Sequence, residues 1–131
     1  MRVIFPALLL LVVPVIVSAH HSRAEFATLT EEIRGEILAA RRTNPHPEIT
    51  LRTRTDDGTE ETLTIQVYGA ANNLRQAGVT DALFSMGDEV TIAGNRSTRR
   101  PNFILGTHML LDDGRQAVFS RTLEPYWSVA A

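Results

Sequence analysis

Cysteine and lysine are both absent from this 131-residue chain, and aromatic residues make up only 6% of it. Without cysteine there is no disulfide framework, no thiolate zinc site, no cysteine nucleophile and no dithiol redox pair. Without lysine, all 13 basic residues are arginine, and 15 acidic residues bring the net charge to -2. That balance argues against a protein built mainly to hold nucleic acid, which carries a basic excess. Catalytic signatures are missing too: there is no Gly-x-Ser-x-Gly elbow, no His-Glu-x-x-His pair and no phosphate-cradling glycine loop. The carboxylates are scattered over turns and strand faces, so no acid/base pair stands out and no catalytic residue is assigned. The chain reads as a single domain and not as an enzyme.

What is present begins with an export signal. Met1-Arg2 is a short positive start, and residues 3–17 carry no charge or strong polar group. A membrane span needs roughly 20 residues of good helix, and Pro6 and Pro14 interrupt this shorter run. Val17-Ser18-Ala19 supplies the small residues that a signal peptidase reads, so residues 1–19 are expected to be a signal peptide cleaved after Ala19. The competing reading is an uncleaved N-terminal anchor. Residues 20–131 then form a chain with no second long apolar run, and so no membrane span after cleavage. The expected location is the periplasm.

Fourteen threonines, all after residue 27, lean towards strands. In the first segment Ile33, Gly35, Ile37 and Ala39 fall on one strand face, and Gly35 suggests a bulge or sharp coil. Asn44-Pro45-His46-Pro47 is a rigid turn. Ile49, Leu51 and Thr53 then alternate with Thr50, Arg52 and Arg54, Asp56-Asp57-Gly58 is a hairpin turn, and Leu63, Ile65 and Val67 return inward-facing. Arg52 and Arg54 are expected near Glu60, Glu61 and Thr62, where cross-strand ion pairing explains them better than an anion site.

Residues 69–78 are small and helical, with Gly78 placed as a C-terminal cap, and a further helical turn is expected at 80–84. Val90, Ile92 and Gly94 mark a fourth strand. Residues 103–111 mark a fifth that is nearly all apolar, with His108 sharing a face with Ile104 and Leu110. Asp112-Asp113-Gly114 turns into a short return at 117–119. The expected fold is mainly β: a small five-stranded OB-like barrel over residues 20–119, with one helix between strands three and four. Residues 120–131 form a C-terminal tail with the only tryptophan. A small mixed sandwich is the alternative.

The four histidines, His20, His21, His46 and His108, are the only distinctive chemistry. Cleavage after Ala19 makes His20 the first residue, whose free amine and imidazole can chelate one ion; a second imidazole completes three nitrogens. Nitrogen donors favour copper(II) most strongly among the divalent ions. His46, restrained by Pro45 and Pro47, is the candidate for that third nitrogen. Cleavage after Ser18 instead places His21 third, an arrangement that also binds copper(II). The structural explanation is a flexible terminus with accidental histidines and a His46 that caps its turn. His108 reads as a hydrogen-bonded sheet histidine rather than a ligand.

Taken together, Ala19-His20-His21-Ser22, Thr43-Asn44-Pro45-His46, Leu74 with Gly78, residues 87–94 and Leu111-Asp112-Asp113-Gly114-Arg115 resemble a family of small exported bacterial proteins of unknown function. The resemblance covers nearly all of residues 19–119. It implies an exported, OB-like domain with no established activity, and it implies that the two histidine sites are shared. The chain departs from that pattern where Arg42 replaces an aromatic before the turn, and where Thr64 and Ile65 replace aromatics in the third strand.

The leading expectation is therefore an exported binding domain holding copper through His20, His21 and His46, serving metal carriage or an exported redox protein. The competing one is a metal-free module binding a partner protein or small ligand, with Arg42, Tyr68 and Trp127 as candidate surface residues. A mononuclear copper oxidase is a third. Nucleic acid is not an expected partner, since the second and third strands offer only Tyr68 for stacking.

Overall fold

The computed structural model of the chain describes residues 23–43, 45–76, 78–80 and 83–128. The expected signal peptide, His20, His21 and Asn44 of the turn lie outside the described residues. The fold is mainly β, with six strands and one short helix among the described residues. A 3-10 turn at Arg23–Glu25 leads into β1 (Phe26–Arg41), followed by β2 (Glu48–Arg54), β3 (Glu60–Val67), α1 (Ala71–Gln76), β4 (Glu89–Ser97), β5 (Phe103–Leu111) and β6 (Gln116–Val118). No helix among the described residues is long and apolar enough to cross a membrane.

The long first strand organises the rest. Its first half pairs antiparallel with β4, from Phe26↔Ser97 to Glu36↔Glu89, and its second half pairs with β2, from Glu36↔Arg52 to Arg41↔Glu48. β2 and β3 form a hairpin in which Arg54 faces Glu60 and Arg52 faces Thr62. β4 pairs antiparallel with β5, and β5 pairs parallel with β3 from Thr64↔Phe103 to Val67↔Gly106. The hydrogen-bonded circuit through β1, β2, β3, β5 and β4 thus returns on itself, and β6 pairs with the second half of β5, from His108 to Leu110.

For β1 to serve two partners it must coil, and Gly35 lets it do so. A β-carbon there would stand 2.5 Å from the Arg52 carbonyl oxygen and 2.8 Å from Leu51 Cγ, so only glycine allows β1 and β2 to approach this closely. The register shift itself falls two residues later, between Ile37 and Ala39, with Leu38 as the extra residue of a bulge. The shift moves Ala39 off the face it was expected to share with Ile37: Ile37 is fully buried and Ala39 is exposed.

The same device operates on β5. Gly94 faces Gly106 and Ala93 faces His108, which leaves Thr107 as an extra residue. Ile104 lies in the core before this bulge, and Met109 and Leu111 lie in it afterwards. His108 therefore shares its face with Leu110 but not with Ile104, because one extra residue reverses the alternation.

One core results. Ile37, Leu51, Leu63, Ile65, Ile92, Ile104 and Met109 have no exposed surface, and Phe119 is 1% exposed. Burying each such side chain is worth about 1.5–3 kcal/mol relative to leaving it in water. Leu74 of α1 and Phe84 join this core from the segment between β3 and β4. Gly78 ends the helical segment with φ +82°, its N–H donating to the Arg75 carbonyl at 3.1 Å, while the Val79 N–H reaches the Leu74 carbonyl at 2.9 Å. Within the stretch expected as a turn at 80–84, the Leu83 N–H donates to the Thr80 carbonyl at 3.0 Å; residues 81 and 82 lie outside the described residues.

Ion pairs line the strand surfaces. Arg54 lies 3.8 Å from Glu60 across the hairpin, as the spacing predicts. Arg52 turns the other way, to Glu36 on β1 at 2.5 Å. Arg96 meets Glu31 at 3.0 Å, and Arg100 meets Glu25 at 2.6 Å. The Arg100 and Ser97 hydrogen bonds hold the Glu25 carboxyl below the usual carboxylate range. The start of the described chain is thereby tied to the loop after β4.

Candidate functional site

The end of β1, the proline-flanked turn and the segment from α1 to Phe84 converge on one cleft of about 600 Å³. That is within the roughly 300–1,000 Å³ of small-molecule pockets. Its floor is apolar: Ile49 from β2, Val67 from β3, Leu74 from α1, and Phe84 and Phe119 from the segments that follow. Its rim carries Arg41, Arg42 and Arg75 with a single carboxylate, Glu48, among the described lining residues.

Local structure sets the character of each rim group. Arg41 and Glu48 are register partners on β1 and β2, and their side chains form an ion pair. One step beyond the strand, Arg42 leaves the ladder and its guanidinium carbon lies 4.7 Å from the centre of the Phe84 ring. Partial burial there removes some of its water and lowers its pKa from the ordinary arginine value. Arg75, in the last turn of α1, donates to the side-chain oxygen of Asn72 one turn earlier. Pro47 is buried and lines the cleft, and its carbonyl accepts the Val67 N–H at 2.9 Å. That bond anchors the turn to β3.

His46 precedes Pro47 and is half-buried, with its Nδ1 nitrogen shielded from solvent. Its proposed copper partners, His20 and His21, lie outside the described residues. Among the described residues, no three His, Cys, Asp or Glu side chains gather as a metal-holding group.

The other residues singled out by sequence lie elsewhere. Tyr68 packs against the core just past the Val67 wall, and its N–H donates to the Gly106 carbonyl at 2.9 Å. Trp127 belongs to a separate cluster on the outer face of β5. There His108 is 6% exposed, with Nδ1 2.8 Å from the Thr107 hydroxyl and Nε2 2.8 Å from the Glu124 carbonyl oxygen. The satisfied-sheet reading of His108 describes this arrangement. Tyr126 and Trp127 pack on the His108 ring and edge-on to each other, with centroids 5.0 Å apart. The Trp127 indole N–H donates to Glu32 on β1 at 2.5 Å. Of the three expected surface residues, only Arg42 faces the cleft.

Arg75, Leu74 and Phe84 also line this cleft, and no motif in the sequence marks them. The available signal was Leu74, Val79 and Phe84 recurring through a short segment that also carries an arginine. A second concavity, between β1 and the β2–β3 hairpin, holds Arg34, Arg52 and Arg54 with Glu36, Glu60 and Glu89, and these charges largely pair with one another.

A family model described as "Family of unknown function (DUF6152)" matches residues 8–102. That stretch includes the His20-His21 segment and the Thr43–His46 turn. No curated protein matches the chain.

Proposed function

Because the chain belongs to the DUF6152 family, a family of unknown function, we propose its role from its own geometry: an exported, non-enzymatic binding domain of OB type whose binding end is the cleft beside the proline-flanked turn. The cleft carries this reading. Its apolar floor, to which a short helix contributes Leu74, is rimmed by three arginines, the form of a small-ligand pocket rather than of a packed core. The strand circuit β1-β2-β3-β5-β4, with its single helix between β3 and β4, supports the OB assignment. The charge-free run at 3–17 followed by Val17-Ser18-Ala19 supports export to the periplasm.

The test is an amide NMR titration of the tag-free protein with 2-naphthamide and with 2-naphthoate. Shifts confined to residues around Leu74, Val67 and Phe84, and lost when Ala71→Phe plugs the cleft, are the expected outcome. Shifts from neither compound would end this reading.

A second reading adds copper at the same end of the molecule. The shielded Nδ1 of His46, fixed between two prolines, favours it, and the His20 amine and imidazole would supply the remaining donors. Native mass spectrometry with one equivalent of copper(II) decides the matter. Retention of one copper that His46→Ala abolishes supports the site; unchanged retention in His46→Ala removes it.

A further inference from the structure

Resting on the reading of the cleft as a binding site, we infer that its ligand is an apolar carboxylate: a compact alkyl or aryl body bearing one anionic head.

The body follows from the floor. Val67, Leu74 and Phe84 are nearly completely buried yet line the cavity, so an apolar group seated on them is removed from water over much of its surface. A volume of about 600 Å³ admits one or two fused rings or a short chain, and not a long polymer.

The head follows from the rim. The chain as a whole has a net charge of -2, yet the described residues around this cleft carry three arginines and one carboxylate. Glu48 is already engaged by Arg41, so the rim offers a bound cation little. Arg42 and Arg75 approach the site from different segments, one residue past the end of β1 and the last turn of α1. Each guanidinium is a planar fork that matches a carboxylate with two parallel hydrogen bonds. Arg42 is also partly stripped of water by the Phe84 ring, which strengthens its attraction for an anion seated beside it. An apolar molecule with a carboxylate complements both the floor and the rim in charge and polarity; a neutral one complements the floor alone.

The experiment measures dissociation constants for 2-naphthoate and for its neutral near-isostere 2-naphthamide, by calorimetry at pH 7 and low salt. The wild type is compared with Arg42→Gln, Arg75→Gln and the control Arg99→Gln in the β4–β5 loop. The expected result is a carboxylate preference of at least about ten-fold, reduced in each cleft variant and kept in the control, with the loss in each cleft variant falling on the carboxylate more than on the amide. Thermal melts identify any variant that has lost its fold, and Arg75→Gln, on an exposed helix position, keeps the test available if Arg42→Gln does not fold. Equal affinity for the two compounds would overturn the carboxylate inference while leaving the cleft a binding site. Failure of both to bind would overturn the cleft reading itself. A preference that survives in both cleft variants would place the anion elsewhere and also overturn the inference.

Discussion

The Nε2 nitrogen of His108 stands 2.8 Å from the backbone oxygen of Glu124, joining the fifth strand to the C-terminal tail. A carbonyl only accepts, so Nε2 carries the proton of this bond. The tail is held by more than this one contact: Gln116 donates to the Trp127 carbonyl at 2.8 Å and accepts the Tyr126 N–H at 3.1 Å. Trp127, a candidate surface residue in the sequence, thus packs with Tyr126 and His108 and helps fix the tail over β5 and β6.

Replacing His108 with Ala should release that tail. The Glu124 carbonyl loses its partner and both aromatic rings lose the surface they pack on. The expected cost is about 1–3 kcal/mol in urea unfolding, with much faster tryptic cleavage after Arg121. Unchanged protection at Arg121 would show that the Gln116 bonds and the Trp127–Glu32 bond suffice without His108.

Gly35→Ala should destabilise the whole fold. The added methyl would meet a backbone carbonyl 2.5 Å away, and backbone cannot swing aside as a flexible side chain can. A loss of about 1–3 kcal/mol or more is expected from overpacking, measured as a drop in the thermal midpoint. The same change at Gly58, where nothing lies within 4 Å but φ is +85°, tests backbone conformation alone and separates the two effects.

Acid should weaken the β2–β3 hairpin through Asp57. Hydrogen bonds from the Thr55 hydroxyl first, and from Thr59 next, lower the Asp57 carboxyl from 3.8 to about 2. A depressed carboxyl stabilises the fold above its unfolded value, and that contribution disappears as pH falls from about 4 through about 2. Carbon NMR of the carboxyl should show the low titration directly. Thr55→Val should move it back towards the ordinary value, and Asp57→Asn should flatten the acid limb of stability against pH.

Short-range chemistry was legible in the residues themselves. Ile49 and Leu51, Leu63 and Ile65, and Val90 and Ile92 alternate because successive strand side chains point to opposite faces, so their burial followed from spacing alone. The hairpin pairing of Arg54 with Glu60 followed from the position of the Asp56-Asp57-Gly58 turn. Gly78 ended its helix because glycine takes a positive φ without penalty. Arg52 was harder: its spacing put it near the β3 acids, but β1 on its other side supplied Glu36.

What the amino-acid order determined by itself was therefore the strands, the turns and the inward-facing sets between bulges, all of which depend on neighbours a few residues apart. Tertiary structure alone decided the parallel closure of β3 on β5, the reversal of faces at Thr107, and the meeting of Arg42, Arg75 and Phe84 around one cleft. Each of these depends on which strand lies alongside and in what register, and a shift of one residue exchanges the buried face for the exposed one.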